Sequence, residues 1–225
     1  MQAAGADATS EARAALTALC ETYWTPLYWY VRRQGHDADA AQDLTQAFLA
    51  RLIEKHDVRN VRRERGRFRS FLLAALKHFL LNDAQSQRAV KRGGGVTTLP
   101  LEFDTAEGKY LKEPRDTRTP ETTFDRRWAL TVLDRVLQRL RREATGADKV
   151  AEFDVLKPSL LGESPPGGYQ TWGGELGLTE GAVKVAVHRL RRRFQRVLRD
   201  EIAQTVSTEA EVEDEIRFLL SALSR

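Results

Sequence analysis

Apolar residues recur at three- and four-residue intervals along most of this chain, and no alternating run of Val, Ile and Thr of the kind that builds strands occurs. The first pattern gathers apolar side chains on one face of a helix, whereas a half-buried strand needs the second. Leu16, Leu19, Tyr23, Leu27 and Tyr30 show the helical spacing, and so do Phe124, Trp128, Val132, Val136 and Leu140. With no Asn-Gly hairpin signal and no internal repeat, a sheet has nothing to build on, and the predicted fold class is all-α.

The punctuation divides that pattern into two small helical domains joined by a flexible linker. A first helix is expected over 10–33, with Pro26 as a kink. A second begins near Asp37 or Asp39, either able to cap it, and runs to about Lys55. A third spans Phe68 to about Arg92, where Gly93, Gly94 and Gly95 stop it. Residues 1–95 therefore read as one domain. Over 96–123 the periodicity is lost among Pro100, Pro114 and Pro120, as in a linker. A second domain is expected over 124–205, and an acidic amphipathic helix over 206–225.

Charge restricts the partners. The total of 36 Lys and Arg against 32 Asp and Glu leaves only +4, but its distribution is uneven. Lys184 to Arg199 holds seven cations and no acid, and Arg59 to Lys77 holds seven cations and one acid, Glu64. Asp200 to Glu215 holds seven acids and no base. Basic blocks on folded segments suit a polyanion, although either block alone is also consistent with a solvated helix face. The longest wholly apolar run, Phe71 to Leu76, is far below the roughly 20 residues that span a bilayer. A single cysteine, Cys20, and four dispersed histidines offer neither a disulfide nor a zinc ligand set. A cytoplasmic chain without cofactor or membrane span is expected.

The most specific local signal lies between Tyr169 and Phe194. A short segment ends in Leu176-Gly177-Leu178, Thr179 can cap a second helix, and a long amphipathic run begins. Val183, Val187, Leu190 and Phe194 form its inner stripe, leaving Lys184, His188, Arg189 and Arg192 outside. That is the pattern of a helix-turn-helix, whose second helix reads a major groove from its N-terminal residues. Gly173 and Gly174 stand where better helix formers are expected.

Two further segments carry candidate contacts. On the second helix, Ala41, Leu44, Phe48 and Leu52 group on one side and Gln42, Gln46, Leu49 and Ile53 on another. The second stripe suits docking along another protein's helices, or both stripes are intramolecular. In Gly66-Arg67-Phe68-Arg69-Ser70-Phe71-Leu72-Leu73, aromatics alternate with arginines and lead into a helix bearing Lys77, His78, Arg88, Lys91 and Arg92. Phe68, Phe71, Leu72, Ala75 and Phe79 share one face and read as core, so the cations are the better nucleic-acid candidates.

Taken in order, Asp43-Leu44-Thr45-Gln46-Ala47-Phe48, the Gly-Arg-Phe-Arg-Ser-Phe-Leu helix, a linker and a C-terminal helix-turn-helix resemble a bacterial RNA polymerase sigma factor of the extracytoplasmic-function (ECF) group. The likeness covers most of the chain. It implies a sigma region 2-like domain that docks on core RNA polymerase and opens the minus-ten element, and a sigma region 4-like domain that reads the minus-thirty-five element. It implies polymerase contact by Gln42, Asp43, Gln46, Leu49 and Ile53. Promoter DNA would be met by Lys77, His78, Arg88, Lys91 and Arg92, and by Lys184, Val185, His188, Arg189 and Arg192.

Three departures from that family stand out. Gln42 and Ala47 occupy places usually held by acids, so a phosphate on Thr45, carrying about −1.5 to −2 charges, would restore negative charge there. This leaves room for a Ser/Thr kinase or an inhibitory protein as a further partner. His78 stands where Asn is usual, and the acidic tail either folds back over a domain as a brake or extends the core. The rival from another class is a stand-alone dimeric helix-turn-helix regulator. An enzyme is not expected, since no Gly-rich phosphate loop, nucleophile motif or metal-ligand spacing occurs.

Overall fold

The structure is a computed structural model of the 225-residue chain and describes residues 21–54, 67–89, 118–206 and 208–224, with the side chains of 53–54 and 85–89 outside that description. Among the described residues every regular element is helical and there is no strand, so the chain is all-α. In order the helices are α1 (21–33), α2 (Ala38–Glu54), α3 (Phe68–Ala89), α4 (Pro120–Gly146) and α5 (Val150–Leu156), which runs into a 3-10 turn, Lys157–Leu161; then α6 (Tyr169–Leu176), α7 (Glu180–Ala203) and α8 (Glu209–Ser224). None of the described helices is long and apolar enough to cross a membrane.

Side-chain caps mark the starts of α2, α4, α7 and α8, whereas α5 and α6 begin without one. The Asp37 carboxylate accepts from the Ala40 N–H at 2.8 Å, which settles which aspartate opens α2. Thr119 Oγ1 accepts from the Thr122 N–H at 3.2 Å, and Pro120 takes the first helical position, where its missing N–H would have no partner anyway. Residues 120–123, read from sequence as the end of the linker, are therefore the first turn of α4. Thr208 and Glu211 form a reciprocal capping box at α8, with bonds of 3.4 and 3.0 Å.

Backbone contacts divide the chain into two units, a first made of Met1–Thr131 with Thr205–Arg225 and a second, Val132–Gln204. The division falls inside α4 rather than in the 96–123 segment, of which residues 96–117 lie outside the described ones. The C-terminal helix belongs with the N-terminal residues in the first unit, and not to a separate tail.

Within that first unit α1 is buried on nearly every side, from Thr22 to Val31 with only Thr25 partly exposed, as expected of a central helix. Tyr23 meets Phe68 edge-on at 5.3 Å, Phe48 meets Phe79 at 5.7 Å, and the Arg127 guanidinium lies 3.5 Å over Trp29. The aromatics that alternate with arginines in the sequence are thus engaged in intramolecular packing. α8 completes the unit with Val212, Leu219 and Ala222 buried and Phe218 against Trp128 at 6.2 Å.

α8 also brings in a buried acid. Glu215, 1% exposed, accepts from Arg69 Nε and Arg67 Nε, each at 2.9 Å, while Asp125 takes the other arm of Arg69 at 2.8 Å. The Arg69 guanidinium lies 3.7 Å over the Phe218 ring and 5.0 Å from Trp128. A desolvated guanidinium is tolerated here because carboxylates and ring faces replace its water. Of the two readings of the tail, the packing is that of a core extension.

Candidate nucleic-acid interface

The second unit holds the helix-turn-helix. α6 ends at Gly177, whose φ of 65° is left-handed, and the Leu178 N–H returns to the Gly173 carbonyl at 2.9 Å. A side chain at Gly173 would place its Cβ 2.6 Å from the Leu178 carbonyl oxygen, so glycine is required by the closeness of the turn. A residue that counted against the helix from sequence is what lets the two helices meet. Thr179 then caps α7, its hydroxyl accepting from the Ala182 N–H at 3.2 Å.

Val183 and Val187 are buried with Leu156 and Trp172, and Tyr169, Leu176, Ala186 and Leu190 pack against that cluster. This seats the inner stripe from Val183 to Leu190 and turns the opposite face of these turns outward, while Val197, Leu198 and Ile202 are buried further along α7. Lys184, His188, Arg189 and Arg192 are exposed, as the spacing predicts, and Val185 is exposed beside them. Lys184 pairs with Glu180 one turn earlier at 2.7 Å, and the hydrogen bond raises its pKa. Val185 is 49% exposed at the mouth of a groove of about 550 Å³, whose floor includes Leu140, Phe153 and Leu156 and whose rim carries Arg189. Such a face combines donors for base edges and phosphates with an apolar group able to meet a thymine methyl.

The other arginines of α7 do different work. Arg193 forks onto Glu143 with bonds of 2.7 and 2.6 Å, which lowers the Glu143 pKa and raises that of the guanidinium. Arg191 donates twice to the Ser159 carbonyl, at 3.2 and 2.9 Å. Arg196 is exposed and has no partner among the described residues. It was missed from sequence, although its spacing of four from Arg192 was a usable signal.

In the first unit the candidates fare unevenly. Lys77 is paired with Glu121 at 2.8 Å, each about two-fifths exposed, and that bond raises the lysine pKa and lowers the glutamate's. His78 is exposed. Arg88 lies on α3 but its side chain is outside the described residues, as are Lys91 and Arg92 altogether.

On α2, Asp43 is exposed and Gln42 partly so, but Gln46 is 5% and Leu49 1% exposed, and the Ile53 side chain is outside the description. Ala41, Leu44, Phe48 and Leu52 are buried as well. Both stripes of α2 are therefore drawn inward at these positions, and Gln46 and Leu49 do not form an open docking face. Thr45 is fully buried, its hydroxyl donating to the Ala41 carbonyl at 2.7 Å, so in this fold no kinase has access to it.

Among the described residues no cluster of three or more His, Cys, Asp or Glu side chains is arranged to hold a metal ion. Models of protein families, curated proteins and solved structures were all compared with this chain, and none matches.

Proposed function

We propose that this chain is a DNA-binding initiation factor of the sigma type, directing core RNA polymerase to promoters through duplex contacts made by α7. The observation that carries the reading is the helix-turn-helix itself: a left-handed glycine turn, a threonine cap and a seated inner stripe that leave Lys184, Val185, His188, Arg189 and Arg192 exposed together. Side chains of these types in the first turns of such a helix are suited to base edges and flanking phosphates. Polymerase contact falls, in this reading, on the accessible margin of α2 at Gln42 and Asp43 rather than on Gln46 and Leu49. The protein is not an enzyme, and its DNA affinity without polymerase is weak.

Run-off transcription reconstituted with bacterial core polymerase tests this. A promoter-dependent transcript that disappears when Lys184, His188 and Arg189 are replaced together by alanine is the expected result. Tight, dimer-dependent binding of an operator without polymerase, and no transcript with it, replaces the reading by a stand-alone regulator. Absence of both overturns it.

A further inference from the structure

Seven cations lie on α7 between Lys184 and Arg199, and the structure sorts them. Lys184 is held by Glu180, Arg191 by the Ser159 carbonyl and Arg193 by Glu143, while Arg199 is also engaged. Arg189, Arg192 and Arg196 remain, all exposed and without a partner among the described residues. At about 100° per residue the three fall within roughly 60° of one another, in one row on the outer side of the helix. With a rise of 1.5 Å per residue, Arg189 and Arg196 are about 10.5 Å apart along the axis.

An unneutralised row of three guanidiniums does nothing for the stability of its own helix, since like charges one turn apart repel. A polyanion laid along the row relieves that repulsion. The length also matches: a major groove is about 12 Å wide, so a row that starts beside the base-reading turns reaches the bordering phosphates within two helical turns. Paired arginines are poor candidates for the same task, because taking phosphate would break the two short bonds from Arg193 to Glu143 or the two from Arg191 to the Ser159 carbonyl.

We infer that Arg196 is a phosphate contact of the duplex-binding surface, continuing the row of Arg189 and Arg192, and that Arg191 and Arg193 hold the unit together instead. This rests on reading α7 as a DNA-binding helix. Phosphate contact is sequence-blind and releases counterions, so its signature is a change in salt dependence shared by every duplex.

Fluorescence anisotropy of the full-length chain on a set of duplexes of different sequence, at NaCl from about 50 to about 200 mM, reads that signature. Arg196→Gln is expected to weaken all duplexes by the same factor and to flatten log K against log salt by about 0.9. Arg193→Gln is expected to lower the thermal midpoint but, at temperatures where the variant is folded, to leave the slope as in wild type. Salt-dependent wild-type binding that Arg196→Gln leaves unchanged overturns the inference and spares the DNA reading. A loss confined to some sequences makes Arg196 a base reader and also overturns it. Wild-type protein that binds no duplex in a salt-dependent way removes both.

Discussion

Two residues carry more of this fold than their side chains suggest. Gly173 and its neighbour Gly174 look equivalent in sequence, yet a Cβ at Gly173 meets the Leu178 carbonyl at 2.6 Å while one at Gly174 meets nothing within 4 Å. Gly173→Ala should therefore strain the turn and destabilise the second unit by about 1–3 kcal/mol, whereas Gly174→Ala should stabilise it by up to about 1 kcal/mol through helix propensity. Urea unfolding monitored by circular dichroism separates the two, and equal effects would mean that the turn relaxes freely. In the first unit the corresponding residue is Glu215. Glu215→Gln keeps one amide oxygen as an acceptor but removes the buried carboxylate charge facing Arg67 and Arg69, leaving Asp125 as the carboxylate on Arg69, and should destabilise by about 3–5 kcal/mol. A loss below about 1 kcal/mol would show that water enters the site.

Elements differ in how far their sequence revealed them. The helix-turn-helix was legible because its determinants are local: Gly177 ends one helix, Thr179 starts the next, and Val183 and Val187 face inward at helical spacing. The start of α4 was misplaced because Pro120 ends a helix and opens one equally well, and only the Thr119 hydroxyl distinguishes the two. The inward turn of Gln46 and Leu49 was not legible, since one helix's periodicity does not say whether a second stripe faces a partner or its own chain. Arg193 and Glu143, fifty residues apart, were likewise invisible as a pair until α4 and α7 were placed. That pair makes a pH prediction. The Glu143 pKa lies below the ordinary value of 4.5, so the pair's stabilisation is present above that pH and is lost as pH falls through the depressed value. The difference in thermal midpoint between wild type and Arg193→Gln should accordingly narrow on acidification below about pH 4.5. A difference that stays constant from neutral to acid pH would assign the variant's defect to lost packing by the arginine stem instead.

On the scale of the molecule, the chain enters the second unit in the middle of α4 and leaves it at Gln204, so that α8 returns to the first unit. An acidic C-terminal segment thereby becomes part of the packing around α1 and α3. The Phe68 N–H donates to the Thr205 carbonyl at 3.3 Å, Arg126 donates to the Leu223 carbonyl, and Glu215, between those two acceptors in sequence, holds both Arg67 and Arg69. Truncation after Gln204 removes all three connections along with buried Val212, Leu219 and Ala222. The first unit should lose more stability than through Glu215→Gln alone, because apolar surface is uncovered in addition to the stranded guanidinium. The helix-turn-helix cluster of Leu156, Trp172, Val183 and Val187 contains no residue from α8 and should keep its protection. Hydrogen exchange read by mass spectrometry on the truncated chain should thus show faster exchange across α1 and α3 and little change across α6 and α7. Equal acceleration in both units would mean that they unfold as one, and unchanged exchange in α1 and α3 would reduce α8 to a passive appendage.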